Sequence, residues 1–284
     1  MTRIFGGIET ARGTYEKASV LLQSVPFDGT STWGKGADKG FEAFMDATDN
    51  MELYDIETDS EVYERGVYIL PEVNGKTAEE MFRKVYEKTK ELLKTNKFLT
   101  FFGGEHSISI GVIKAFYETY PNITILQLDA HADLRPEYMG TPYNHACALY
   151  NASKNTNLVQ VGIRSMDRIE MEHLDKNKCF FMQDIYDKSE WMDRSIDLMS
   201  EKVYITLDLD VFDPSILPGT GTPEPGGMQW YPMLTYLKKV FKQKEVIGFD
   251  IVELAPIEGL PASEFLVSKL YYKMLSYKFE NHGK

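Results

Sequence analysis

The chain has 284 residues, 43% hydrophobic and 26% charged, which is typical of a folded protein and excludes a disordered, collagen-like or coiled-coil chain. Its 43 acidic and 31 basic residues give a formal net charge of −12, which argues against nonspecific binding to nucleic acid or an anionic membrane. The two cysteines form no disulfide framework, and no secretory signal or transmembrane stretch is visible, so we expect a cytoplasmic protein.

Short apolar runs rich in β-branched and aromatic residues predict buried parallel strands at 18–24, 98–102, 123–128, 158–161, 179–182, 203–207 and 246–249. Amphipathic segments between them predict helices at 77–95, 107–120, 191–200, 232–242 and 262–277. Thr77 and Glu80 give the first helix a capping box. This alternation, without a linker, predicts one three-layer α/β/α domain over residues 1–284 with a mostly parallel central sheet.

Ionisable side chains follow three of the predicted strands at the point where each strand ends. They are His106 in GGEH, Asp129, His131 and Asp133 in DAHAD, and Asp208 and Asp210 in DLDVFDP. Ligands of parallel α/β sheets bind at the carboxyl ends of the strands. We therefore expect these six side chains to meet at one edge of the sheet.

The composition of this cluster predicts a metal site. Asp129, His131 and Asp133 alternate, so an extended chain puts them on one face, where half-buried charges would need a cation. Each motif alone also fits a turn, a helix cap or a structural histidine. Together, four carboxylates and two imidazoles without a thiolate suit Mn²⁺ better than structural zinc. They are also enough ligands for two ions that share carboxylates.

In this order along one chain, GGEH, DAHAD and DLDVFDP resemble the ureohydrolase family of arginases and agmatinases. The similarity extends from Val25 to Pro256 and implies an arginase-like fold with two Mn²⁺ per chain. It implies that His106, Asp129, Asp133 and Asp208 hold the first ion. It implies that Asp129, His131, Asp208 and Asp210 hold the second.

The resemblance also implies three catalytic residues, Asp133, His145 and Glu253. Glu253 would receive the substrate guanidinium, whose charge and planar fork match a carboxylate. A hydroxide between the two ions would attack the guanidinium carbon. Asp133 would hold that hydroxide and pass a proton to the leaving amine, and His145 would replenish the proton.

The substrate expected from the resemblance is agmatine, cleaved to urea and putrescine in polyamine biosynthesis. Segment 134–144 lacks the S-x-N pattern of arginases and resembles the D-L-R-x-x-Y-x-G run of agmatinase-like members. Arginase, or another guanidino or formimino hydrolase of the family, is the first alternative. A metal-dependent deacylase is the second, and an inactive relative that only binds is the third.

The partners follow from the same resemblance. We expect a cationic guanidino small molecule as substrate, and a homo-oligomer, either a trimer or a hexamer. Neither nucleic acid nor a membrane is expected as a partner.

Overall fold

One sheet of eight parallel strands runs through residues 3–280, the part of the chain that the computed structural model describes. The strands are β1 (Val20–Val25), β2 (Val67–Leu70), β3 (Phe98–Gly103), β4 (Thr124–Leu128), β5 (Asn157–Val161), β6 (Cys179–Phe180), β7 (Lys202–Asp208) and β8 (Glu245–Val252). Their order across the sheet is β2-β1-β3-β8-β7-β4-β5-β6. The predicted α/β class is therefore confirmed, and the sheet is parallel throughout rather than mostly parallel.

Helices cover both faces of this sheet. They are α1 (Gly40–Thr48), α2 (Ala78–Leu92), α3 (Ile108–Thr119), α4 (Tyr150–Asn155), α5 (Met182–Ile185), α6 (Glu190–Asp197), α7 (Trp230–Gln243) and α8 (Ala262–Phe279). Residues of α2, α3 and α4 belong to one apolar core, and residues of the other five helices belong to a second. Neighbours in a strand point to opposite faces, so Val20 and Leu22 join one core and Leu21 joins the other. The result is the predicted three-layer arrangement.

The start of α2 shows how local sequence sets an element boundary. Thr77 is the N-cap, and its hydroxyl oxygen accepts a hydrogen bond from the backbone N–H of Glu80 at 3.2 Å. The Glu80 carboxylate accepts from the backbone N–H of Lys76 at 2.9 Å, one residue before the partner that a capping box predicts. The helix nevertheless begins where the sequence predicts.

Four elements were not predicted from the sequence, namely β2, α1, α4 and α5. They are short, and their stability comes from tertiary packing more than from local pattern. In α1, for example, Phe44 is fully buried, with its ring 4.4 Å from that of Phe102 and 5.2 Å from that of Tyr271. The strand predicted at 179–182 is shorter, because it ends at Phe180 and α5 begins at Met182.

The order of the strands decides where chemistry can occur. Strands β3, β8, β7 and β4 are consecutive neighbours in the middle of the sheet. All four run in the same direction, so their carboxyl ends form one continuous edge. Separately, no helix within residues 3–280 is both long and apolar enough to cross a membrane.

Candidate metal centre and active site

The predicted site residues lie along the edge formed by these four strands. His106 follows β3, Glu253 follows β8, Asp208 ends β7, and Asp129 follows β4. The sheet therefore brings together side chains that are up to 147 residues apart in the chain, as in the pair His106 and Glu253. His145 comes from a short 3-10 helix, His145–Cys147, in the loop after β4.

A first group of possible ligands surrounds the imidazole of His106. Its Nδ1 atom lies 3.2 Å from Oδ2 of Asp129, 3.1 Å from Oδ2 of Asp133 and 3.2 Å from Oδ2 of Asp208. All four side chains are buried. One buried imidazole nitrogen thus faces three carboxylates.

A second group surrounds His131. Its Nδ1 atom lies 2.8 Å from Oδ2 of Asp210 and 3.8 Å from Oδ1 of Asp129. Asp129 therefore turns one carboxylate oxygen to each group. Asp208 belongs to the first group only, so its expected sharing between two ions stays a prediction.

The charges of these groups oppose one another without a cation. Burial, together with Asp210 and Asp133, raises the pKa of Asp129 to about 7. Burial and the neighbouring Asp210 raise the pKa of Asp208 well above its usual range. Burial disfavours the charged form of His131, yet the carboxylates of Asp210 and Asp129 outweigh it and raise its pKa to about 11. A divalent cation would relieve the repulsion between these carboxylates and displace the protons.

One unpartnered atom tests whether the residues fit a metal ion. His106 Nδ1 is buried without a hydrogen-bond partner, although three carboxylate oxygens lie about 3 Å away. That spacing suits adjacent ligands of an ion with bonds of about 2.0–2.6 Å. The donor set of imidazole and carboxylate without thiolate suits Mn²⁺ and similar divalent ions. The residues therefore fit a metal centre.

Two residues that sequence reasoning missed fix the ring of His106. Its Nε2 atom lies 2.9 Å from the hydroxyl oxygen of Thr206, and that hydroxyl donates to the buried carboxylate of Asp250 at 2.6 Å. Because the single hydroxyl proton is used on Asp250, Thr206 accepts from an Nε2–H of His106. Nδ1 is then the nitrogen that faces the carboxylates. Burial disfavours the charged ring, yet the carboxylates of Asp129, Asp133 and Asp208 outweigh it and raise the pKa of His106 well above its usual value. A metal ion would displace the Nδ1 proton. The signal in the sequence was a polar residue inside each of two otherwise apolar strands.

A cavity of about 330 Å³ opens beside both groups. Its lining includes His106, His131, Asp133, His145, Asp208, Asp210 and Glu253. Every side chain proposed for catalysis from the sequence therefore faces the same space. Asp133 and Glu253 both have left-handed backbone conformations, with φ of 53° and 69°, which are rare for residues other than glycine and occur often at functional sites.

Glu253 lines this cavity as a buried carboxylate, and none of the ion pairs formed within residues 3–280 involves it. Its Oε1 atom accepts a hydrogen bond from the backbone N–H of His106 at 2.8 Å. Burial and the nearby Glu105 raise the pKa of Glu253 well above its usual range. A cation bound in the cavity would restore the charged form.

The family model named Arginase family matches residues 18–276. This chain belongs to the arginase family. It is 34% identical over 283 residues to an N(1)-aminopropylagmatine ureohydrolase from Synechocystis sp., covering 95% of this chain and 92% of that protein. It is 32% identical over 258 residues to an agmatinase from Halalkalibacterium halodurans, covering 87% of each. The solved structure of an agmatine ureohydrolase of Thermoplasma volcanium matches with a TM-score of 0.87 and 28% identity, covering 99% of this chain and 95% of that one.

Membership of the arginase family confirms three expectations from the sequence. The fold is arginase-like, the protein is an agmatinase-like ureohydrolase, and the enzyme class is a hydrolase of guanidino C–N bonds. The two groups of candidate metal ligands in this protein are those around His106 and His131.

Part of the lining of this cavity carries charges of both signs. The guanidinium carbon of Arg135 lies 4.3 Å from the ring centroid of Tyr138. Its nitrogens lie 3.5 Å from a carboxylate oxygen of Asp167 and 3.9 Å from one of Glu170. Asp167 is exposed, whereas Glu170 is buried and burial raises its pKa, so Arg135 and Asp167 form the solvent-facing ion pair of this lining.

Arg164 supports the backbone of the segment that carries Asp210. Its guanidinium donates to the backbone carbonyl oxygens of Asp210 at 2.6 Å and Glu224 at 2.8 Å. These bonds hold the segment that carries Asp210 against the end of β5. Arg164 therefore holds the backbone at Asp210 and Glu224 in place.

Proposed function

We propose that the protein is a binuclear-metal hydrolase that releases urea from a guanidinoalkyl amine. The observation that carries this proposal is the pair of buried ligand groups joined at Asp129, opening on the same cavity as the unpaired Glu253 carboxylate. Family membership favours guanidine hydrolysis over the deacylase that the sequence left open.

Two ions would be held by the residues expected from the sequence. His106, Asp129, Asp133 and Asp208 would hold one, and Asp129, His131, Asp208 and Asp210 the other. Mn²⁺ is the ion we propose, because the donors are carboxylates and imidazoles without thiolate. Bound divalent ions of this kind lower the pKa of water and so supply a nucleophile near neutral pH.

Glu253 would bind and orient the substrate. A guanidinium donates two parallel N–H bonds to a carboxylate, and in a buried site this pairing is strong. The bond from the backbone N–H of His106 holds the Glu253 carboxylate in place before substrate arrives. The guanidinium carbon would then be kept beside the ligand groups.

Asp133 and His145 would move the proton that the leaving amine needs. An amine is a poor leaving group until its nitrogen is protonated. A carboxylate oxygen of Asp133 would deliver that proton, and a ring nitrogen of His145 would replace it. Burial lowers the pKa of His145, which favours the neutral imidazole with one ring nitrogen free to accept a proton.

The tail of the substrate would be cationic. Asp167, an exposed carboxylate on the lining of the cavity, suits an ammonium group at the far end of an alkyl chain. The similarity to N(1)-aminopropylagmatine ureohydrolases favours N1-aminopropylagmatine, which would leave spermidine. Agmatine, the substrate expected from the sequence and named in agmatinase relatives, would leave putrescine.

A substrate panel tests this proposal. Urea release by the Mn²⁺-loaded enzyme is measured with N1-aminopropylagmatine, agmatine, arginine, 4-guanidinobutyrate and formiminoglutamate. We expect kcat/KM for N1-aminopropylagmatine or agmatine to exceed that for the other three by about tenfold or more, the value of one ion pair of about 1.4 kcal/mol. Arginine cleaved faster than both amines would contradict the proposal.

We also propose that the arginase-like domain extends over residues 1–284 and that the protein is cytoplasmic. The first point is supported by the match over 18–276 and by Phe5, whose ring lies 5.5 Å from that of Tyr271 in α8. The second is supported by Cys147 and Cys179, which are both free and buried thiols. A homo-oligomer remains an expectation from the family resemblance.

A further inference from the structure

A chain of hydrogen bonds connects His145 to a buried acid outside the proposed ligand set. The hydroxyl oxygen of Thr30 lies 3.1 Å from Nδ1 of His145 and 2.9 Å from Oε1 of Glu105. Thr30 comes from the segment after β1, and Glu105 comes from the segment after β3. Three separate segments therefore meet at one threonine hydroxyl.

The donors around Glu105 decide the direction of these bonds. Its carboxylate accepts from the backbone N–H and the hydroxyl of Ser107, both at 2.8 Å, and from the backbone N–H of Thr30 at 3.3 Å. Burial raises the pKa of Glu105 to about 7, against the effect of the hydrogen bonds from Ser107 and Thr30, so above that pH the group is a carboxylate and acts as an acceptor. The single hydroxyl proton of Thr30 therefore belongs to the bond with Glu105.

The oxygen of Thr30 can then only accept from His145. It accepts from the backbone N–H of His145 at 3.0 Å, and the remaining contact is the one to the ring. Nδ1 must carry a proton to make that contact a hydrogen bond. Among the hydrogen bonds formed within residues 3–280, none involves Nε2 of His145, so Nε2 is the ring nitrogen left to exchange a proton.

The first ligand group contains a similar arrangement of histidine, threonine and carboxylate, but there the threonine contacts the other ring nitrogen. There Thr206 donates to Asp250 and accepts from Nε2 of His106, which leaves Nδ1 as the nitrogen that faces the carboxylates. At His145 the bound nitrogen is Nδ1, and the free one is Nε2. In both cases a threonine that donates to a buried carboxylate contacts one ring nitrogen and leaves the other facing the site.

We propose that Thr30 and Glu105 are positioning residues that hold His145 in the tautomer protonated on Nδ1, so that Nε2 accepts and returns the proton in turnover. The catalytic half of this statement rests on the proposed function. The tautomer half does not, because it concerns only the ring and its two neighbours.

The direct test is the tautomer of His145 in the full chain by ¹⁵N NMR at about pH 8.5, where Glu105 is charged. Protonated and unprotonated ring nitrogens have distinct ¹⁵N shifts, and the His145→Ala spectrum assigns this ring among the five histidines. Spectra are taken without metal and with Zn²⁺ as a diamagnetic ion. We expect a protonated Nδ1 and an unprotonated Nε2 in both, and a proton on Nε2 in the native chain would overturn the proposal.

Two substitutions at Thr30 separate positioning from packing. Thr30→Val keeps the shape and removes the hydroxyl, whereas the matched control Thr30→Ser keeps it. We expect Thr30→Val to shift the His145 ring to a mixture of tautomers and lower kcat for urea release about 10- to 100-fold with KM within about twofold. Thr30→Ser should retain the native tautomer and most of kcat.

The outcomes distinguish the two claims. A native His145 tautomer in folded Thr30→Val would refute the positioning role of Thr30 and Glu105. Equal losses of kcat in Thr30→Val and Thr30→Ser would refute it too. If Thr30→Val does not fold, the tautomer of the unmodified chain decides. If the unmodified enzyme releases no urea from any guanidine, the proposed function fails. The NMR result still decides whether Thr30 and Glu105 set the His145 tautomer.

Discussion

Asp129 is the residue on which the site depends most. Its two oxygens face different imidazoles, with Oδ2 at 3.2 Å from His106 Nδ1 and Oδ1 at 3.8 Å from His131 Nδ1. Its orientation is fixed by Gln127, whose side-chain N–H donates to Oδ2 at 2.7 Å, and by the backbone N–H of His131 at 2.6 Å. The carboxylate is therefore held between the two groups before any ion binds.

Glu253 provides a prediction at the same scale. Glu253→Gln keeps the size of the side chain and an oxygen for the N–H of His106, but removes the negative charge. Loss of one partner of a buried ion pair costs about 3–5 kcal/mol, so we expect kcat/KM for the guanidine to fall by roughly 10²-fold to 4 × 10³-fold. Metal content, measured by mass spectrometry of the metal, should stay unchanged.

The matched control is Glu258→Gln, five residues further on and exposed, which should keep kcat/KM within about twofold. Full activity of Glu253→Gln would show that the guanidinium is bound elsewhere. Loss of metal from Glu253→Gln would show instead that this residue belongs to the ligand set.

At the scale of elements, the ends of β1, β3 and β8 are held together at Gly104. Its N–H donates to the carbonyl oxygen of Val25 at 2.8 Å, and its own carbonyl accepts from the N–H of Glu253 at 2.8 Å. A Cβ at this position would lie 1.9 Å from the carbonyl oxygen of Phe27, which is backbone and cannot rotate away. Glycine is required here by the close approach of two chain segments.

Gly104→Ala should therefore separate these strand ends. We expect the free energy of unfolding to fall by about 2–4 kcal/mol, measured by urea denaturation of the metal-free protein. The control is Gly259→Ala, where φ is 78° but no atom lies within 4 Å of the added Cβ, so only the backbone penalty of about 1–2 kcal/mol applies. Equal losses in the two variants would contradict the steric explanation.

The same elements show what the sequence could and could not predict. DAHAD at the end of β4 was predicted as a ligand motif because alternation and strand ends are local properties. The pairing of Thr206 with Asp250 was not, because it depends on the register of β7 against β8, where these two residues are direct partners. The contact between Thr30 and Glu105 was not predicted either, because a single sequence does not show which loops meet.

At the scale of the whole molecule, the parallel sheet concentrates negative charge at one edge. The formal charge of −12 includes Asp129, Asp133, Asp208 and Asp210, which come from two neighbouring strand ends. Such a field attracts cations and concentrates them in the cavity. Part of the net negative charge of the chain is therefore located at the proposed metal and substrate site.

Urea release during stepwise addition of Mn²⁺ to the metal-free protein tests the two-ion hydrolase most directly. With N1-aminopropylagmatine or agmatine in excess, the rate should rise to a plateau at two Mn²⁺ per chain, because both ligand groups must be filled. A plateau at one ion per chain, or no urea at any loading, would contradict a binuclear guanidine hydrolase.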